Sequence, residues 1–198
     1  MFIFLIAAYS KLIFNYGTVS SGKSLDLLKI YKTLKLREKN VRCTKPKLDT
    51  RDDGIFSRTG LKEDCDFIIG EDNWEEQAND SDFLLIDESQ FLTENEVETI
   101  RSIANRGINV MCYGLKNTFT TKTFPGSQRL LELADELKEI ETLCTFCNNK
   151  AQQSLKHCNG IVDKGDKIID VGYESKYLPC CNFCFEKAQK TGKIPERN

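Results

Sequence analysis

Short apolar runs recur along the first two thirds of the chain, and longer stretches with helical spacing separate them. The runs occupy residues 12–16, 41–43, 66–70, 82–88 and 108–115. Residues 21–40 and 94–107 instead carry apolar side chains three or four positions apart, which is the period of a helix that buries one face. Strands that alternate with helices are typical of a mostly parallel sheet flanked by helices. We therefore predict an α/β fold.

The pattern changes near residue 142. A last helix is predicted just before this point from the spacing of Leu130, Leu131, Leu133, Ala134 and Leu137. Beyond Cys144 the chain carries two Cys-x-x-Cys pairs and several short β-prone runs. We therefore predict an α/β domain over residues 1–142 and a small second domain over residues 143–198.

Length, composition and charge limit the class of protein. A chain of 198 residues, 40% hydrophobic and 29% charged, is long enough for one catalytic domain and a small appendage. A net charge of -2 and a pI near 5.6 predict no general attraction for nucleic acid or anionic membranes. This balance favours a small-molecule substrate.

The start of the chain and its cysteines indicate a compartment. Residues 1–9 are apolar but shorter than a bilayer span, and they lack the basic leading region of a secretory signal. We therefore expect a cytoplasmic protein. In a reducing compartment, nine cysteines are better candidates for free thiols and metal ligands than for a disulfide framework.

A glycine-rich segment follows the first predicted strand and opens the first predicted helix. It reads GTVSSGKS, and its residues are Gly17, Thr18, Val19, Ser20, Ser21, Gly22, Lys23 and Ser24. In such a loop the backbone N–H groups surround phosphate oxygens, the lysine neutralises the outer phosphates, and the serine hydroxyl binds Mg²⁺. The segment therefore predicts a P-loop for a nucleoside triphosphate with Mg²⁺, rather than a plain Gly/Ser turn.

Two acidic residues end the apolar run at 82–88. Asp87 stands where P-loop proteins keep the carboxylate that helps to hold Mg²⁺. Glu88 follows it and can orient an attacking oxygen and accept its proton. A structural alternative makes Asp87 a strand-end cap and Glu88 a solvated charge. These residues alone leave open whether the acceptor is water or an alcohol.

Two cysteine pairs, CTFC at 144–147 and CNFC at 181–184, have the spacing of a structural zinc site. Four thiolates around Zn²⁺ form a closed tetrahedral centre without catalytic duty. Cys180 lies beside Cys181, so the spacing alone leaves one ligand undecided. We expect the lone His157 to be a surface residue.

Several motifs occur in a specific order along the chain: GTVSSGKS, LDTR at 48–51, DESQF at 87–91, GLKNTF at 114–119 and the paired cysteines. With this order the chain resembles the tetrameric, zinc-containing thymidine kinases. The resemblance implies a P-loop, RecA-like sheet followed by a small zinc-binding domain, whose lasso covers the nucleoside. It also implies transfer of the γ-phosphoryl group of ATP to the 5′-hydroxyl of thymidine to give dTMP, with deoxyuridine as a possible second substrate.

The resemblance assigns residue roles by motif. Glu88 matches the general base, and Asp49, Arg51 and Gln90 match positions at the ATP and Mg²⁺ site. Cys181 is selected over Cys180, so the implied zinc ligands are Cys144, Cys147, Cys181 and Cys184. The implied nucleoside pocket consists of Phe91, Leu115, Phe119, Phe124, Ser154, Ile168, Asp170, Val171, Gly172 and Tyr177. The family further implies a homotetramer inhibited by dTTP, with neither nucleic acid nor membrane as a partner.

Two other functions compete with this interpretation. A P-loop ATPase would use Asp-Glu-Ser-Gln to activate water and the zinc module to grip nucleic acid. The short length, the acidic balance and the lack of a clustered basic stripe near the cysteines in the sequence count against it. A non-catalytic zinc module that only binds nucleotide would leave Glu88 and Asp49 without a purpose.

Overall fold

The structure is a computed structural model that describes residues 10–50, 54–165 and 177–197. Its strands are β1 (Leu12–Gly17), β2 (Val41–Pro46), β3 (Gly54–Phe56), β4 (Lys62–Asp64), β5 (Phe67–Ile69), β6 (Phe83–Ile86), β7 (Asn109–Leu115), β8 (Glu136–Glu139), β9 (Gln153–Cys158), β10 (Ile161–Val162) and β11 (Tyr177–Cys180). Its helices are α1 (Lys23–Leu36), α2 (Trp74–Asn79), α3 (Glu94–Asn105), α4 (Pro125–Leu133) and α5 (Asn182–Thr191), with a short 3-10 turn at Ser89–Phe91.

Six parallel strands form the main sheet, in the order β5-β2-β6-β7-β1-β8. The apolar runs of the sequence correctly predict β1, β2, β5, β6 and β7. Leu84, Leu85 and Ile86 of β6 are completely buried, as expected for a central strand covered on both faces. Because the strands are parallel, all their carboxyl ends meet at one edge, where open α/β sheets bind ligands.

The third helix illustrates how local sequence sets the elements. Thr93 and Glu96 form a capping box at the start of α3: the Glu96 N–H donates to the Thr93 hydroxyl at 3.2 Å, and the Thr93 N–H donates to the Glu96 carboxylate at 2.7 Å. The apolar positions Val97, Ile100 and Ile103 are completely buried against the sheet. The predicted helix over 94–107 is therefore confirmed.

The helix predicted through Leu137 is wrong in its last part. It ends at Leu133, and Ala134 takes up an extended backbone with φ -70° and ψ 141°. The Asp135 N–H then donates to the Leu12 carbonyl at 2.8 Å, while the Asp135 carboxylate accepts from the Leu12 N–H at 2.8 Å. These bonds place Glu136–Glu139 beside β1 as an edge strand, so pairing with β1 overrides the local leucine period.

A small antiparallel sheet, in the order β10-β9-β11, lies beyond the last strand of the main sheet and packs on α5. It has its own buried cluster, which includes Phe146, Leu155 and Ala188. The Ser154 hydroxyl on β9 accepts a hydrogen bond from the Val19 N–H at 3.3 Å, so this sheet contacts the P-loop segment. The domain boundary at residue 142 stays a prediction. Within the described ranges, no helix has the length and apolar character that crossing a bilayer requires.

Candidate active site

The P-loop segment connects β1 to α1. Ser20 and Gly22 have left-handed backbones, with φ 60° and φ 86°, and α1 begins directly afterwards at Lys23. A side-chain carbon at Gly17 would lie 2.4 Å from the Ser21 hydroxyl oxygen and 2.6 Å from the Ile140 carbonyl, so only glycine fits there. Lys23 is 8% exposed, and its ammonium donates to the Thr18 carbonyl at 2.7 Å. The lysine thus points back into the concave side of the loop.

Asp87 lies at the other side of this loop, directly after β6. The Ser24 hydroxyl donates to the Asp87 carboxylate at 2.7 Å, which joins the first turn of α1 to the end of β6. Burial raises the pKa of Asp87 above its usual range; the negative charge of Glu88 adds to the rise, and the hydrogen bond from Ser24 opposes it. Ser24 and Asp87, which the sequence analysis assigns to one Mg²⁺ site, are therefore in direct contact.

Glu88 begins the 3-10 turn with a left-handed backbone, at φ 51°. Its N–H donates to the Asp87 carboxylate at 3.0 Å, and its own carboxylate accepts from the side-chain amide of Gln90. The Gln90 amide oxygen in turn accepts from the Leu115 N–H at 2.9 Å. Gln90 is 2% exposed, so it forms a buried bridge that holds Glu88 relative to the end of β7.

Asp49 lies in the turn after β2 and is 7% exposed. Its carboxylate forms an ion pair with Lys45, at 3.5 Å from the ammonium nitrogen. Arg51, the partner of Asp49 in the predicted motif, lies outside the described residues. Sequence reasoning missed Lys45, because a lysine in a strand is ordinarily exposed; its position near the carboxyl end of a buried parallel strand was the available signal.

The predicted nucleoside pocket is described in part. Phe91 and Phe124 meet edge to face with ring centroids 6.0 Å apart, and Phe119 and Tyr177 meet at 6.3 Å. Leu115 ends β7 beside Gln90. The remaining predicted positions, Ile168, Asp170, Val171 and Gly172, lie outside the described residues.

The four cysteines implied as ligands converge. Sulfur atoms of Cys144, Cys147, Cys181 and Cys184 all lie within 4.8 Å of one another. The Cys147 sulfur is 3.7 Å from the sulfurs of both Cys181 and Cys184. Thiolates bound tetrahedrally to Zn²⁺ at 2.3 Å would be separated by about 3.8 Å, so this arrangement fits the ion. The group contains Cys181, as the motif alignment implies, and does not include Cys180.

A sequence profile of thymidine kinases matches residues 10–185. The chain belongs to the thymidine kinase family. Thymidine kinase of Enterococcus faecalis is 37% identical over 180 residues, which cover 87% of this chain and 92% of that protein. The enzyme of the same name from Encephalitozoon cuniculi is 32% identical over 188 residues, covering 91% and 89% of the two chains. The family is thus matched across the P-loop, the acidic pair and the cysteines alike.

A solved structure offers a more distant likeness. The replication initiator DnaA bound to AMPPCP and single-stranded DNA covers 69% of this chain at 16% identity, with a TM-score of 0.46. The family assignment rests on the sequence relatives.

The turn that carries Glu88 and Gln90 packs closely against α4. A side-chain carbon at Gly126 would lie 2.4 Å from the Leu92 carbonyl and 3.0 Å from the Ser89 carbonyl, so a glycine is required at this contact. Ser89 itself is completely buried, and among the described residues its hydroxyl has no hydrogen-bond partner. Tight packing therefore holds the turn in place despite one unsatisfied polar group.

We expect Ser89→Ala to increase the free energy of unfolding by about 1 kcal/mol, because it removes a buried hydroxyl that gains no hydrogen bond on folding. Urea denaturation measures the change. Ser127→Ala is the matched control: Ser127 is equally buried, but its hydroxyl donates to the Leu115 carbonyl at 2.6 Å, so this variant should lose stability. Equal losses in the two variants would contradict the prediction.

Proposed function

We propose that this protein is an ATP-dependent thymidine kinase, which transfers the γ-phosphoryl group of ATP to the 5′-hydroxyl of thymidine. Membership of the family supports the reaction. The proposed residue roles are supported by one observation, the contact between Ser24 and Asp87. Lys23 precedes Ser24 and Glu88 follows Asp87 in the sequence. The groups proposed to act on the phosphate, the metal and the acceptor alcohol thereby lie at one edge of the sheet.

The donor nucleotide would bind at the P-loop. The backbone N–H groups of Thr18 to Ser24 and the N-terminus of α1 offer donors to phosphate oxygens, and Lys23 supplies a fixed positive charge. Ser24 and Asp87 would hold Mg²⁺, which would supply positive charge against the negative charge that develops on the phosphates during transfer. The Ser24 and Asp87 oxygens fit Mg²⁺, because two neighbouring ligands of an octahedral ion at about 2.1 Å are about 3.0 Å apart, comparable with the 2.7 Å between these two oxygens.

Glu88 would orient the 5′-hydroxyl and accept its proton. Its carboxylate is only half-buried, and the buried amide of Gln90 fixes its position. In phosphoryl transfer the protein mainly positions reactants and stabilises charge, so a carboxylate held rigidly beside the metal site is suited to this task. Asp49, from the turn after β2, and Arg51 would act on the metal and phosphates.

The nucleoside would bind against the aromatic side chains. Phe91, Phe119, Phe124 and Tyr177 would form the aromatic wall for a pyrimidine, and backbone groups near Ile168 to Gly172 would select its edge. Ser154, on the small antiparallel sheet, contacts the P-loop. This contact supports the proposal that the nucleoside lies between that sheet and the phosphates. Thymidine is the proposed substrate, and deoxyuridine is the alternative to compare with it.

The cysteine group would hold a structural Zn²⁺. Its sulfur spacing supports this, as does the position of Cys181 at the N-cap of α5, where the Cys184 N–H donates to the Cys181 sulfur at 3.5 Å. Four thiolates fill the tetrahedral shell, so the ion would stabilise the small sheet without reacting. From the resemblance we further propose a cytoplasmic homotetramer inhibited by dTTP; size-exclusion chromatography with light scattering tests the assembly.

Measuring ADP formation with and without thymidine tests the proposed reaction. We expect ADP to form only when thymidine is present, with one thymidine consumed per ADP, because the 5′-hydroxyl is the acceptor. Equal ADP formation without thymidine, or stimulation by single-stranded DNA, would instead indicate a nucleic-acid-dependent ATPase. No ADP under either condition would indicate a module that only binds nucleotide.

A further inference from the structure

Lys45 is a buried charged residue at the edge of the sheet where the P-loop and the acidic pair lie. It is 3% exposed, and it follows Thr44 near the carboxyl end of β2. Removing an ammonium from water costs several kcal/mol, and a buried ion pair seldom recovers more than that cost. Stability alone would therefore be served as well by apolar side chains in place of the pair, and the lysine is better explained by the charges around it.

The neighbours of Lys45 are the proposed ATP and Mg²⁺ residues. Thr44 pairs with Ile86 of β6, and the Asp87 N–H donates to the Thr44 carbonyl at 2.9 Å. Lys45 and Asp87 are thus the next residues on two adjacent parallel strands, at the same height in the sheet. Lys45 contacts Asp49 directly, so its ammonium lies beside the turn after β2.

The electrostatics of a nearby thiol support this placement. Burial raises the pKa of Cys65 to about 11; the charge of Lys45 lowers this pKa, whereas the charges of Asp87 and Asp49 raise it. The Cys65 thiol therefore lies within electrostatic range of Lys45, Asp49 and Asp87. The charges of Lys45, Asp49 and Asp87 therefore act at the same end of β2 and β6.

Asp49 belongs to a turn that has left the sheet. Its N–H donates to the Pro46 carbonyl at 3.0 Å, and the Lys47 N–H donates to the Ile69 carbonyl at 2.9 Å, so backbone bonds fix the start of the turn. The Lys45 ammonium contacts the Asp49 carboxylate at 3.5 Å and so links it back to the sheet. Removing the Lys45 charge would leave the carboxylate of Asp49, a residue of 7% exposure, without that cation.

We infer that Lys45 is a positioning residue for the proposed kinase reaction: its ammonium holds the Asp49 carboxylate where it can assist Mg²⁺ bound to the nucleotide. This inference rests on the proposed function for the identity of the nucleotide complex. In this role Lys45 acts through Asp49 and does not itself touch the phosphates.

The experiment measures ADP binding by calorimetry, with and without Mg²⁺, in Lys45→Met, Asp49→Asn and the double variant. Lys45→Met should weaken binding of Mg·ADP by about ten- to a hundredfold, which is the usual loss when a group that orients a metal ligand is removed. Binding of ADP without Mg²⁺ should change little. Because Lys45 acts through Asp49, adding Lys45→Met to Asp49→Asn should cause no further loss.

The controls separate positioning from folding. Lys45→Arg keeps the positive charge and should recover part of the Mg·ADP affinity, while Lys47→Met removes an exposed lysine of the same turn and should bind Mg·ADP like the unaltered protein. Thermal unfolding reports whether each variant is folded. A lower melting temperature with an unchanged effect of Mg²⁺ on ADP affinity would mean that Lys45 is only structural, and would overturn the inference.

Two further outcomes also contradict it. If Lys45→Met weakens ADP binding equally with and without Mg²⁺, or if the losses in the double variant multiply, Lys45 acts on the phosphates directly. These binding measurements do not need thymidine turnover. A protein that binds Mg·ADP as expected but shows no thymidine-dependent ADP formation would therefore refute the proposed reaction and leave the role of Lys45 intact.

Discussion

Glu88→Gln is expected to lower the turnover number for thymidine by about two to four orders of magnitude, the usual contribution of a general base. Glutamine has the same shape but cannot accept the proton of the 5′-hydroxyl. Its amide oxygen can still accept the hydrogen bond from Gln90 that holds residue 88 in place. A coupled assay of ADP formation at saturating ATP and thymidine measures the effect.

Nucleotide affinity provides the internal check on this variant. Lys23, Ser24 and Asp87 are unchanged, so the dissociation constant of ATP should stay within about threefold, a difference of less than 1 kcal/mol. Glu94→Gln is a matched control, because Glu94 is exposed on the first turn of α3 and should tolerate the change. Turnover that is unchanged in Glu88→Gln would remove Glu88 from the role of base.

Cys181→Ala is expected to abolish binding of the proposed zinc ion and to unfold the small antiparallel sheet. Binding of zinc at structural sites of this type contributes roughly 10 kcal/mol or more to the free energy of folding of a small module. The hydrophobic cluster around Phe146 and Leu155 is too small to replace that contribution. Cys181 also caps α5, so its loss removes one ligand and one helix cap together.

Cys180, the residue before Cys181, provides the control variant. Cys180 is completely buried but lies outside the four-sulfur group, so Cys180→Ala should keep about one zinc per chain while losing a little packing. Elemental analysis of dialysed protein, with limited proteolysis of residues 143–198, distinguishes the two variants. Zinc retained by Cys181→Ala and lost by Cys180→Ala would reverse the assignment.

The main sheet follows from the sequence because burial forces its strands to be apolar. The strands that sequence reasoning missed have no such signature. Glu136–Glu139 reads ELKE and lies at the edge, where Leu137 is 49% exposed, so its partner β1 rather than its composition makes it a strand. The hairpin of Gly54–Phe56 and Lys62–Asp64 is similarly short, and only Ile55 anchors it in the core.

The residues of the candidate site likewise fall into those that the sequence predicts and those that it does not. Residues within one motif, such as Lys23 with Ser24, are predictable because the chemistry requires them at fixed spacing. The contact between Ser24 and Asp87 spans two strands, and it follows from knowing that both strands end at one edge of a parallel sheet. The pair of Lys45 and Asp49 has no such motif, because burial of a charge depends on the neighbouring strands and not on the local sequence.

The sheet order has a consequence for biosynthesis. β1 carries the P-loop, yet both of its neighbours are made much later: Leu12 pairs with Val110, and Ile13 pairs with Glu136. On the ribosome the strand at Leu12–Gly17 must therefore wait for most of the chain to emerge before it can be flanked on either side. Such non-local pairing slows folding. Until the later strands are made, the apolar β1 segment stays exposed and can bind chaperones or aggregate.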